Sequence, residues 1–143
     1  MIEKKIHYIW FGKNEMSEKL KVCLATWDKT FAGYEFTKWN EDNCPKDIFF
    51  LDKMLQFKQW AFASDFLRFY ILYHHGGIYL DTDMYFYKGI NEYLTYDYFL
   101  GKEDANNLSA GVIGSVKNHP FNKLCMDFYI NYNSKEKIDE FKL

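Results

Sequence analysis

Apolar residues along the chain fall into short runs whose period changes repeatedly. Residues 5–11, Lys5-Ile6-His7-Tyr8-Ile9-Trp10-Phe11, form a compact β-forming run that stops at Gly12. They predict a buried opening strand. Leu20, Leu24, Trp27 and Phe31 then recur at helical spacing, with Ser17 as N-cap and Gly33 as the stop. Residues 34–39 alternate polar and aromatic side chains, which predicts a second strand followed by a loop over 40–45. This β-α-β opening suits a parallel sheet with a crossover helix.

The same reading continues downstream. A short helix is expected within 47–57 and a longer, largely apolar one over 61–75, ended by Gly76 or Gly77 in a left-handed turn. Ile78-Tyr79-Leu80 reads as a short buried strand. Further strands are expected at 84–87 and 98–101, and a strand or close-packed connection at 109–115. Tyr79, Tyr85 and Tyr87 are expected to pack on or near the sheet. Pro120, after His119, opens a last helix whose expected inner face is Phe121, Leu124, Cys125, Phe128 and Tyr129. Residues 131–143 are charged and read as helical or frayed. No repeat or linker interrupts this order, so residues 1–143 read as a single α/β domain.

Composition narrows the function. With 18 basic and 20 acidic residues and a net charge of −2, the 143-residue chain has no nucleic-acid footprint. Cys23, Cys44 and Cys125 are far apart and odd in number, which argues against a disulfide framework and for reduced thiols. No secretory leader and no membrane-length apolar run is visible, so a cytoplasmic location is expected, with at most peripheral membrane association. At 21% the aromatic content is high, consistent with a ring-rich core and with stacking platforms for sugars or bases.

The chemistry concentrates in two places. Asp81-Thr82-Asp83 follows the buried strand directly, and two carboxylates at a strand end can converge on one hard cation that holds a diphosphate. Asp65 and Arg68 are three residues apart and share a face of the otherwise apolar helix. A charged pair there either opens into a cleft or is buried with partners. Open α/β sheets place ligands at the strand ends, so Asp65, Arg68, Asp81 and Asp83 are expected to line one pocket. His7 is expected as a core histidine, and His74 and His75 as favourable charges at a helix C-terminus.

Four ordered blocks carry a family resemblance: Ile6-His7-Tyr8-Ile9-Trp10-Phe11-Gly12, then Trp39-Asn40-Glu41-Asp42-Asn43, then residues 63–73, then Gly76-Gly77-Ile78-Tyr79-Leu80-Asp81-Thr82-Asp83. Together they resemble the glycosyltransferases with a DXD sugar-binding region. That family includes bacterial capsule and surface-glycan enzymes, fungal mannosyltransferases and the catalytic core of the large clostridial glucosylating toxins. The resemblance implies a GT-A-like, Rossmann-like fold, with a mixed, mainly parallel sheet flanked by helices. It also implies a nucleotide-sugar donor (a UDP-sugar favoured), Mn²⁺ or Mg²⁺, and transfer with retention to a glycan, lipid-linked glycan or other hydroxyl acceptor.

By position, Ile9 and Trp10 would lie against the base, and Asp65 and Arg68 would hold sugar hydroxyls and the adjacent phosphate. Asp81 would touch ribose or sugar and reach the metal through water, and Asp83 would ligate the metal. Glu103, Asn106, Asn107 and the stretch Ser109-Ala110-Gly111 are looser candidates near the sugar and acceptor. Family members usually continue beyond the last helix expected here, so the chain reads as a compact or truncated member or as a fragment. A pocket lacking one wall predicts exposed apolar surface that a homo-oligomer would cover. Two other classes remain open at this point: a non-catalytic nucleotide-sugar or glycan-binding module, and a haloacid-dehalogenase-type phosphohydrolase with Asp81 as nucleophile.

Overall fold

The computed structural model describes residues 1–142. Five strands form one sheet: β1 (Lys5–Ile9), β2 (Glu35–Trp39), β3 (Gly77–Leu80), β4 (Tyr98–Lys102) and β5 (Leu108–Ser115), in the order β2-β1-β3-β5-β4. β1 pairs in parallel with β2 and β3, whereas β5 pairs antiparallel with β3 and β4. Four strands therefore run one way and β5 alone runs against them, which makes the sheet mixed and mainly parallel.

Helices cover both faces. α1 (Glu18–Thr30) lies on one side, where Trp27 and Phe31 pack with Ile6, Ile78 and Leu80. α2 (Phe49–Gln56), α3 (Trp60–His75) and α4 (Pro120–Ile130) cover the other, with Phe50, Phe66, Leu67, Ile71 and Met126 packed around Ile9, Tyr79 and Ile113. The two-residue alternation of the strands produces this division: Ile78 and Leu80 face α1, and Tyr79 between them faces α3. The short helix α5 (Lys135–Ile138) and a 3₁₀ turn follow α4.

The joint between α3 and β3 is tightly specified. Gly76 and Gly77 both have positive φ. A Cβ on Gly77 would stand 2.7 Å from the Lys5 carbonyl oxygen, and one on Gly76 would stand 2.9 Å from the Lys117 nitrogen. His7, buried in β1, bonds the Gly76 carbonyl through Nε2 at 2.9 Å and accepts the Trp39 indole N–H at Nδ1 at 3.2 Å. The second bond leaves the proton on Nε2, so the neutral ring donates to Gly76. Burial pushes the His7 pKa down to about 4.

Two expectations are corrected. Residues 84–87 are not a strand. Both neighbours of β3 are filled, and the segment docks instead on α1. The Trp27 indole N–H donates to the Met84 carbonyl, and the Phe86 N–H donates to Thr26 Oγ1. In-and-out alternation survives without a partner strand, so Tyr79 packs on the sheet whereas Tyr85 and Tyr87 are exposed. In α4 the buried residues are Asn122 and Met126. Of the expected inner face, Tyr129 packs on the core and Cys125 is half-buried, while Phe121, Leu124 and Phe128 are exposed. Asn122 sets that rotation: its amide donates to Ser115 Oγ at 2.8 Å, and its carbonyl accepts from the Tyr98 hydroxyl at 3.1 Å. Satisfying a buried amide outweighs the apolar stripe.

Candidate donor-binding site

At the C-terminal ends of β1 and β3 a cavity of about 450 Å³ opens against the first turns of α3. Ile9, Trp10, Asp65, Arg68, Asp81 and Asp83 all line it, together with Tyr79, Ser64 and Trp60. Residues spread over 75 positions of sequence thus meet at one sheet edge.

Arg68 organises the floor. Only 8% of the residue is exposed. Its Nε–H donates to the Ser64 carbonyl at 3.2 Å, Nη1 to the Ala110 carbonyl at 2.8 Å and Nη2 to Asp65 Oδ1 at 3.0 Å. Nη1 also lies 3.5 Å from Asp81 Oδ1, and the guanidinium stacks 4.9 Å from the centre of the Tyr79 ring. Three of its five N–H donors are hydrogen-bonded, and Nη1 pairs with Asp81 at longer range. Burial opposes the Arg68 charge, but Tyr79, Asp81 and Asp65 outweigh it, and its pKa rises above the ordinary value. Asp65 moves upward too, by burial foremost, with Asp81 adding to the shift and Arg68 opposing it.

The two carboxylates of the turn differ. Asp81 is held from three sides: Tyr79 donates its hydroxyl to Oδ1 at 2.7 Å, Arg68 approaches the same oxygen, and its backbone N–H donates to the Gly111 carbonyl at 2.8 Å. Burial above all pushes the Tyr79 hydroxyl far above its ordinary range, so it remains a donor. Gly111 leaves room for the second oxygen, since a Cβ there would sit 3.1 Å from Asp81 Oδ2. Asp83 is exposed, and its carboxylate has no hydrogen bond or ion pair among the described residues. Its backbone carbonyl is fixed by the Cys23 thiol at 3.5 Å.

Tyr79 is a cavity residue that periodicity alone assigns to packing. The signal was available: Tyr79 and Asp81 stand two apart at a strand end and so share a face. Trp10 is anchored by its indole N–H, which donates to the Asn14 carbonyl at 2.7 Å. With its one polar hydrogen so used, what the indole offers a ligand is its ring. The Gly12 N–H donates to Glu41, tying the loop after β1 to the loop after β2. Glu103, Asn106 and Asn107 lie away from the cavity lining, in the β4–β5 hairpin, where Asp104 accepts from the backbone of both asparagines. Ser109 accepts the Gly111 N–H.

Residues 17–100 match the family described as glycosyltransferase sugar-binding region containing DXD motif. The chain belongs to this family. An uncharacterized glycosyltransferase of Acanthamoeba polyphaga mimivirus is 31% identical, over 96% of this chain and 60% of that protein. Inositol phosphoceramide mannosyltransferase 3 of Schizosaccharomyces pombe is 29% identical, over 84% of this chain and 35% of its own. The solved PaToxG glycosyltransferase superposes with a TM-score of 0.77 at 22% identity, over 99% of this chain and 65% of that one, which shows the shared GT-A-like α/β fold. The family member described here thus spans less than two thirds of the length of these curated relatives. No described helix is long and apolar enough to cross a membrane.

Proposed function

We propose that this domain binds a nucleotide-sugar donor in the cavity, with a divalent cation, and transfers the sugar to a hydroxyl acceptor. One observation carries the reading: a held carboxylate (Asp81) and an unpartnered one (Asp83) stand two residues apart in a cavity that Ile9 and Trp10 also line. Such a cavity offers a hard, anionic corner for a metal diphosphate and an apolar, aromatic wall for a base.

The donor set fits Mn²⁺ or Mg²⁺. Among the described residues no three His, Cys, Asp or Glu side chains cluster as a metal site. Hard cations bound with phosphates commonly take one or two carboxylates, the remaining positions going to phosphate and water. Asp83 and the second oxygen of Asp81 suit that role. When bound, the cation supplies charge stabilisation to the departing diphosphate.

The chain's own groups do the rest. Arg68 holds Asp65 and Asp81 in place and keeps one N–H for the donor. Asp65, its second oxygen free, accepts from sugar hydroxyls, and Trp10 stacks on the base. Family resemblance supports a UDP-sugar and retention of configuration. Membership of the sugar-binding family weighs against the phosphohydrolase alternative.

Calorimetric titration of UDP-sugars with and without Mn²⁺ tests the reading. Binding is expected to require Mn²⁺ and to be lost in Asp83→Asn. Unchanged affinity in that variant refutes the assignment. Metal-dependent release of UDP distinguishes a transferase from a non-catalytic donor-binding module.

A further inference from the structure

A second cavity, of about 750 Å³, lies on the outer side of α1, where no donor-site residue reaches. Its lining includes Val22 and Lys29 of α1 and Tyr85, Tyr87 and Lys88 of the segment after Asp83. Tyr87 is 92% exposed, Val22 56% and Tyr85 49%. These rings are held outward by construction. Phe86 between them packs edge-on against Phe31 at 4.8 Å and bonds Thr26 through its N–H, so its neighbours must point away. The two tyrosine rings lie 4.8 Å apart.

The charge of the patch is one-sided. No Asp or Glu lines the cavity, and neither Lys29 nor Lys88 has an ion pair among the described residues. Both lysines are exposed, whereas Lys5, Lys21 and Lys123 each stand against a carboxylate. Against an overall charge of −2, this is a local positive surface carrying protruding amphipathic rings.

We propose that this patch docks on an anionic lipid bilayer, with Tyr85, Tyr87 and Val22 entering the interfacial layer and Lys29 and Lys88 meeting the acidic headgroups. Tyrosine rings with a polar tip favour the headgroup level, and lysines gain from the negative surface potential. Protrusion of the rings favours a surface they can enter over a soluble polyanion, which would use the lysines alone. The inference does not rest on donor binding, since the docking residues and the donor cavity lie on separate surfaces.

Co-sedimentation with phosphatidylcholine vesicles, with and without phosphatidylserine, tests it without any nucleotide. Binding is expected only with phosphatidylserine, weakening as salt is raised. Lys29→Ala with Lys88→Ala is expected to weaken it roughly 30-fold. Tyr85→Ser with Tyr87→Ser is expected to weaken it at every salt concentration, with circular dichroism unchanged. Absence of wild-type binding to phosphatidylserine vesicles overturns the proposal. So does equal binding by both double variants, or capture by soluble dextran sulfate that the vesicles do not compete.

Discussion

Asp81 and Asp83 sit two residues apart yet occupy opposite physical regimes. Asp81 is built into the protein: Tyr79, Arg68 and the β5 backbone fix its orientation before any ligand arrives. The Asp83 carboxylate is bound to nothing among the described residues, and the residue is exposed. The contrast divides labour within one turn. Stability is invested on the Asp81 side, and adaptability to a ligand is kept on the Asp83 side, where a preorganised neighbour lowers the cost of ordering.

The comparison breaks most visibly at Arg68. Arg68→Ala leaves Asp65, Asp81 and the Ala110 carbonyl without their shared partner, and a loss of about 3 kcal/mol in urea unfolding is expected. A variant of wild-type stability would mean that the floor is not held by this residue.

Acid offers a second route to the rigid side. His7 has a folded pKa of about 4, below its ordinary 6.5, so between those values the unfolded chain binds a proton that the folded chain refuses. Its contribution is complete above the unfolded value and is lost as pH falls toward the folded one. At pH 5 the loss amounts to about 2 kcal/mol. In His7→Gln the slope of stability against pH over that window is expected to flatten, and an unchanged slope would assign the effect to other groups.

Tyr79→Phe is a gentler probe. It removes one hydroxyl from Asp81 at constant shape, and about 1.5 kcal/mol of stability should go with it. Donor affinity should fall as well, because Asp81 becomes free to turn. Asp83→Asn should have the smallest effect on stability, within about 0.5 kcal/mol, while abolishing Mn²⁺-dependent titration heat. If Asp83→Asn destabilised the fold as much as Tyr79→Phe, the division between the two carboxylates would not hold.

Much of this arrangement is readable from residue order. The opening β-α-β unit, the glycine joint after α3 and the meeting of Asp65, Arg68, Asp81 and Asp83 all follow from periodicity and strand-end logic. The misreadings share a cause, since side-chain pattern reports which face a residue turns and not what lies opposite. Residues 84–87 alternate like a strand because Phe86 pegs into the core between two exposed tyrosines, yet their backbone is satisfied by Thr26 and Trp27. In α4 the apolar spacing points to Phe121, Leu124, Cys125, Phe128 and Tyr129. A single amide, Asn122, rotates the buried face so that Phe121, Leu124 and Phe128 are exposed while Tyr129 stays on the core. Tyr79 reads as packing because a strand tyrosine is commonly a core ring, and only its two-residue spacing from Asp81 marks the hydroxyl as a donor.

The reversed direction of β5 has a consequence for how this domain can change over time. Its middle, rather than its tip, crosses the cavity floor, and what it contributes there are the carbonyls of Ala110 and Gly111. A carbonyl is common to every residue type, so position 110 should accept many side chains without disturbing Arg68. Inserting or deleting one residue in β5 would instead slide those oxygens out of register. Position 110 should therefore drift readily by substitution, whereas Gly111 and Gly114 are held by their neighbours and the strand resists changes in length.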